Sequence, residues 1–325
     1  MKYPATILVT LAFSAPAFAS SSSDPLHNLE HFFEDAQIVS GPELVDCTLS
    51  EGAETTCFSI TVKTEPTGYT PGPWCPTSVL DDADAGGIWL KDGEVHDVDG
   101  EFVSNLSRFY NDEEWQLVNP DGSIRVTDTK EACEAAARPD VAEEYQNYCV
   151  QCLPEYVDES ATVTYVIPLT PQAATRPAPT NQSGSGVAYN GIRLDGSAPV
   201  DDILAAHTIA PFDDCGGHIN THVGYHYHAV TDCLEGGPVV EGHASQIGIA
   251  MDGYPIFNRT DAQGEVPDDL DACNGHVSDD LGYHYHAGEA GSNAILGCMT
   301  AQAGCVLEDP EAQCDASARP APPRP

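Results

Sequence analysis

Two stretches of this chain, residues 213–229 and 271–287, share the pattern Asp-x-Cys-x-Gly-His-x5-Gly-Tyr-His-Tyr-His-Ala, identical at ten of seventeen positions with no gap. Each supplies three histidines at fixed spacing: His218, His226 and His228 in the first, His276, His284 and His286 in the second. In an extended strand the side chains at i and i+2 share a face, so each His-x-His pair points one way and the tyrosines between them point the other. Imidazole is a borderline ligand suited to copper, zinc, iron or nickel, whereas hard cations prefer oxygen donors. The six histidines are therefore the candidate metal ligands, with copper or zinc as the candidate ion. They can build one mononuclear site, or two three-histidine sites forming a dinuclear centre. The competing reading is that they hydrogen-bond turns and stack on their neighbours.

Asp213 and Asp271 are also duplicated, each five residues before a motif histidine. A carboxylate there can orient an imidazole, bind the ion directly or act as a general base, which makes this pair the candidate catalytic residues. The alternative is an aspartate capping a turn before a cysteine. Gly217, Gly275, Gly224 and Gly282 permit tight backbone next to the histidines. The phenols Tyr225, Tyr227, Tyr283 and Tyr285 read as core packing. His207, His222 and His243 have no counterpart in the repeat; they could complete or gate a site, and each alone reads as an ordinary surface or core histidine. No Gly-x-Ser-x-Gly elbow, phosphate loop, dinucleotide fingerprint or His-Glu-x-x-His helix is present. The Asp97-x-Asp99-Gly100 stretch lacks the first and last carboxylates that an EF-hand loop needs.

The elements that must position these residues are mostly strands. Asn190-Gly191 lies between Val187–Tyr189 and Ile192–Leu194, and Asp252-Gly253 between Ile247–Met251 and Tyr254–Phe257, two hairpin signals whose turns need positive φ. Cys57–Val62 and Thr162–Ile167 predict further strands. Lys130–Ala137 predicts a helix opened by a capping box at Asp128 and Glu131 and stopped by Pro139, and Val141–Tyr148 a second short one. Residues 171–186 combine proline with glycine and serine and read as a linker. The expected fold is mainly β: a disulfide-stapled β domain over 187–315 with an internal pseudo-twofold duplication, preceded by an irregular α+β region over 20–170. Two copies are too few for a solenoid, so the economical arrangement brings both histidine triplets together on one shared cation. Residues 316–325 are proline-rich and read as a disordered tail.

Lys2, the apolar run Ile7–Phe18 and the ending Ala17-Phe18-Ala19 read as a signal peptide over residues 1–19, which predicts a secreted or periplasmic product. Twelve cysteines in an exported chain argue for disulfides rather than thiolate ligands. Six precede residue 160 and six follow residue 210, so each half can close its own bridges; for the second half the preferred pairing is Cys215 with Cys233, Cys273 with Cys298 and Cys305 with Cys314. Cys149-x-x-Cys152 lacks the βαβ context of a redox motif and reads as ordinary bridging. A formal charge of −39 repels nucleic acid and anionic lipid, so neither is an expected partner; a metal ion is.

The duplicated Gly-Tyr-His-Tyr-His-Ala, the Asp-x-Cys-x-Gly-His before it, and the intervening Ile247-Gly-Ile-Ala-Met-Asp-Gly-Tyr-Pro-Ile-Phe257 resemble the YHYH domain family over about residues 185 to 300. That resemblance implies an exported, cysteine-containing protein in which the histidine tetrapeptide is the defining feature, and it implies no particular reaction. Three functions are carried forward: an exported metal-binding protein, a metal-dependent enzyme such as a copper oxidase or zinc hydrolase, and an extracellular structural or adhesive module without metal.

Overall fold

A computed structural model describes residues 24–318 except 139, 181–183, 240–242 and 262. The expected signal peptide and residues 319–325 of the expected tail lie outside the described residues. Alternation of apolar and polar side chains between turn residues builds the strands in chain order. β1 (Ile38–Thr48) and β2 (Glu54–Lys63) form an antiparallel ladder, and β3 (Ile88–Lys91) and β4 (Glu94–Asp97) a short hairpin. β5 (Thr162–Pro168) and β6 (Ala173–Pro179) follow, then β7 (Gly186–Ala188), β8 (Arg193–Leu194), β9 (Gly217–Asn220) and β10 (Gly224–Tyr227). β11 (Gln246–Ala250), β12 (Pro255–Phe257), β13 (Gly275–Ser278), β14 (Gly282–His286), β15 (Cys298–Ala301) and β16 (Cys305–Leu307) complete the set.

The central sheet has eight strands in the order β13-β14-β12-β11-β7-β8-β10-β9. Each half repeats one plan. A hairpin, β7–β8 or β11–β12, is followed by a motif hairpin, β9–β10 or β13–β14, whose second strand lies parallel to the preceding hairpin's second strand. The halves join where β7 pairs antiparallel with β11, Val187 opposite Ile249. This is the pseudo-twofold duplication expected from the sequence. Gly191 and Gly253 take φ of 82° and 91° at the two hairpin turns, where a side chain would be strained.

The strand order overturns one expectation. The two motif hairpins occupy opposite edges of the sheet, with β14 and β10 five inter-strand steps apart, about 24 Å along an unrolled sheet at about 4.8 Å per step. The histidine triplets therefore do not meet on one cation; the symmetry axis runs through the β7–β11 seam and carries them apart.

β1, β2, β5 and β16 form a second sheet, so a strand from near the C-terminus completes a layer begun near residue 38. Its inner residues Phe58, Ile60, Val62, Tyr165 and Ile167 pack with Val187 and Met251 beside the seam. The tyrosine face of the central sheet is buried with Trp74, Val150, Leu194 and Ile256. Residues 173–179, inside the stretch expected as a linker, form β6 and pair with β15; a two-stranded ribbon tolerates the prolines at its edge. The helix Lys130–Ala136 is capped by Thr129, whose hydroxyl accepts from the amide of Ala132, rather than by Asp128, and the expected second helix is one 3-10 turn, Glu143–Tyr145.

Six disulfides join Cys47–Cys57, Cys75–Cys149, Cys133–Cys152, Cys215–Cys233, Cys273–Cys298 and Cys305–Cys314. The last three are the pairs expected for the second half. Cys149 and Cys152 go to different partners, as structural bridges do. Each closed loop stabilises the fold by about 2–4 kcal/mol, chiefly through the unfolded chain.

Candidate metal centres

Each motif hairpin sets its histidines by register. His218 lies directly opposite His226, and His276 directly opposite His284, so in each hairpin these two rings share a face. The third histidine, two residues on, rises from the same face. In the first centre the ring centroids of His218, His226 and His228 are 4.7, 5.0 and 4.9 Å apart, nearly equilateral. Imidazoles bonded at about 2.05 Å to one tetrahedral ion place their centroids about 5 Å apart, so the triangle has the size that a metal requires. Candidate ligand nitrogens of the three all lie within 4.8 Å of one another.

Hydrogen bonds decide which nitrogen faces inward. Nδ1 of His226 donates to the carbonyl of Gly224 at 3.1 Å, and Nδ1 of His228 to the carbonyl of Gly196 at 2.6 Å. The second half repeats both: His284 to Gly282 at 3.0 Å and His286 to Asn258 at 2.8 Å. A carbonyl only accepts, so the proton sits on Nδ1 in all four rings, and each Nε2 keeps its lone pair. This orientation of a ring by a backbone oxygen is the usual support of a metal-bound histidine. Nε2 of His286 is buried with no hydrogen-bond partner, a bare acceptor.

Burial keeps these rings neutral. It holds His218 well below the ordinary imidazole value of 6.5, with His226 and His228 adding to the effect, and pushes His228 down to about 3. His226 is lowered by burial, opposed by Asp195. In the second half burial takes His284 down to about 4 and lowers His286 as well. Neutral imidazoles converging through lone pairs repel one another, and a cation is the species that relieves this.

The second centre has a member that sequence reasoning left out. His243, with no partner in the repeat, packs with its centroid 4.8 Å from His284 and 6.4 Å from His286, and offers a nitrogen within 4.8 Å of theirs. His276 stands beside them, Nε2 to Nε2 of His284 at 2.9 Å, while its Nδ1 meets Asp269 Oδ1 at 2.8 Å. That carboxylate aims Nε2 of His276 at the centre. No spacing signal marks His243, because it sits in the connection between the halves and only folding brings it to β14. His207 is instead tied to Asp112 at 2.9 Å and to Glu114 at the surface, and among the described residues His222 joins neither motif cluster.

Asp213 and Asp271 lie with the tyrosines. Asp213 Oδ1 accepts from the amides of Cys215 and Gly217 and from the Tyr225 hydroxyl, and Oδ2 from the amide of Gly72. Asp271 Oδ1 likewise accepts from the amides of Cys273 and Gly275, and its Oδ2 accepts from the Tyr283 hydroxyl. A Cβ at Gly217 would fall on the end of the Tyr225 ring, and one at Gly275 on that of Tyr283, so the glycines admit the phenol to its carboxylate. The inner tyrosines are fixed as well: the Tyr227 hydroxyl meets Tyr69 and Asn190 at 2.7 and 3.0 Å, and Tyr285 donates to Asp252 at 2.7 Å.

No curated protein and no solved structure matches this chain. The family model described as YHYH protein matches residues 164–269, from within β5 through the first motif copy to just short of the second.

Proposed function

We propose that this is an exported protein that binds a transition metal, copper or zinc, at two separate histidine centres. The observation that supports it best is the duplicated tautomer lock: in each half, two Nδ1 protons are given to backbone carbonyls, leaving Nε2 lone pairs aimed at a third imidazole. Borderline nitrogen ligands favour copper or zinc over hard cations. Six disulfides support an oxidising compartment. Among the described residues no helix is long and apolar enough to cross a membrane. The charge of −39 concentrates cations near the surface. On this reading Asp213 and Asp271, the candidate bases, hold the motif loops instead.

The test is elemental analysis of the full mature chain purified from its native compartment. Two equivalents are expected in the wild type, one in His226→Gln/His228→Gln and one in His284→Gln/His286→Gln. At about 100 times Kd each site adds about 2.7 kcal/mol, so filling both should raise Tm by about 10 °C and a chelator should reverse it. Metal-free protein whose melting ignores added copper and zinc would defeat the proposal and select the structural or adhesive module.

A further inference from the structure

We infer that the two centres are chemically unequal: the His243 centre surrounds its ion with four imidazoles, whereas the His218 centre leaves one coordination position for a small exogenous ligand, water or an anion. This rests on the metal-binding reading above and goes past it.

The four rings of the second centre have centroid separations of 4.5, 4.8, 5.1, 5.3, 6.4 and 6.5 Å, scattered around the ~5 Å of imidazoles on a tetrahedral ion. Nε2 of His276 and Nε2 of His284 already lie 2.9 Å apart, so an ion held by both would use a contact that is in place. Asp269 stays behind His276 as its orienting carboxylate.

The first centre has no such fourth ring. Aligning the two repeats in sequence at their hairpin turns, Asn190 with Asp252, pairs His243 with an asparagine, so the first copy carries no histidine at the matching position. Among the described residues no further histidine, cysteine or carboxylate joins His218, His226 and His228. The flank is taken by Phe212, 4.9 Å from His218 and 5.3 Å from His228, which offers no lone pair. Asp195 acts electrostatically on His226 and His228, but its Oδ1 is held by Arg193 at 3.0 Å and the amide of Gly196 at 2.8 Å. Three histidines with a vacant fourth place are the arrangement that lets zinc bind and activate water, while four protein ligands close a site. Duplication has therefore produced one holding centre and one reactive centre.

The experiment loads the full mature chain with two equivalents of Co(II) and follows its visible bands during titration with azide and, because the protein is strongly negative, with neutral pyridine. The bands of one equivalent should shift and those of the other stay fixed. In His243→Gln both equivalents should respond. A response from both ions in the wild type, or from neither, overturns the inference while leaving the metal-binding reading intact. Failure to take up Co(II), Cu(II) or Zn(II) at all overturns both.

Discussion

Replacing Asp213 and Asp271 by alanine, one at a time, compares the same deletion in two settings that differ mainly in access to water. Asp213 is 1% exposed and accepts from three amides and a phenol; Asp271 is exposed and accepts from two amides and a phenol. A buried donor left without an acceptor costs about 1–3 kcal/mol, and a donor that water can reach costs much less. At about 1 kcal/mol for each of its four donors, Asp213→Ala should lose about 4 kcal/mol, and Asp271→Ala about 1–2 kcal/mol. Urea denaturation of the disulfide-intact chain measures both, and at about 2 °C per kcal/mol the Asp213 variant should melt about 8 °C lower. Metal content should survive in both, because neither carboxylate faces an imidazole. Equal losses, or loss of one metal equivalent in a folded Asp271→Ala protein, would refute the assignment of these aspartates to the loops and restore them to the centre.

Acid should weaken the metal-free protein through its histidines. His228 and His284 titrate at about 3 and about 4 when folded and near 6.5 when unfolded, so between these values the unfolded chain takes up protons that the folded chain does not. Their contribution is full above about pH 6.5 and is lost as pH falls toward 4. Asp252, raised to about 6 by burial, works in the opposite direction over part of that range. The wild type should therefore be compared with His228→Gln/His284→Gln, whose urea midpoint should fall less between pH 7.5 and pH 5; parallel curves would count against neutral buried imidazoles. Gly217→Ala should be destabilising by about 2–3 kcal/mol, because the new methyl displaces a buried phenol. Gly275→Ala should do less harm because Tyr283 is only half-buried, and an inverted order of the two melting temperatures would contradict the packing described.

Local chemistry was legible in the sequence, and long-range placement was not. Asn190-Gly191 and Asp252-Gly253 marked their hairpins because the positive φ at each glycine is a property of two residues. The His-x-His faces followed from strand period alone. Opposite His218 and His226 were fixed by the short turn between them, which also made each triplet readable as a unit. Strand order is set by which apolar faces bury together, and no spacing in the motif encodes that β7 rather than β10 meets the other half. The same limit hid His243 and the pairing of β6 with β15, both of which depend on contacts between segments distant in the chain.

The β7–β11 seam joins the halves through one antiparallel pair, with Val187 facing Ile249. A chain holding a single half would expose that strand as an unpaired edge, and its simplest remedy would be a second copy of itself across a twofold axis. The present chain thus has the form of a fused homodimer. Fusion frees the two subunits from identical sequences, and only after that step can an imidazole such as His243 be added on one side without appearing on the other.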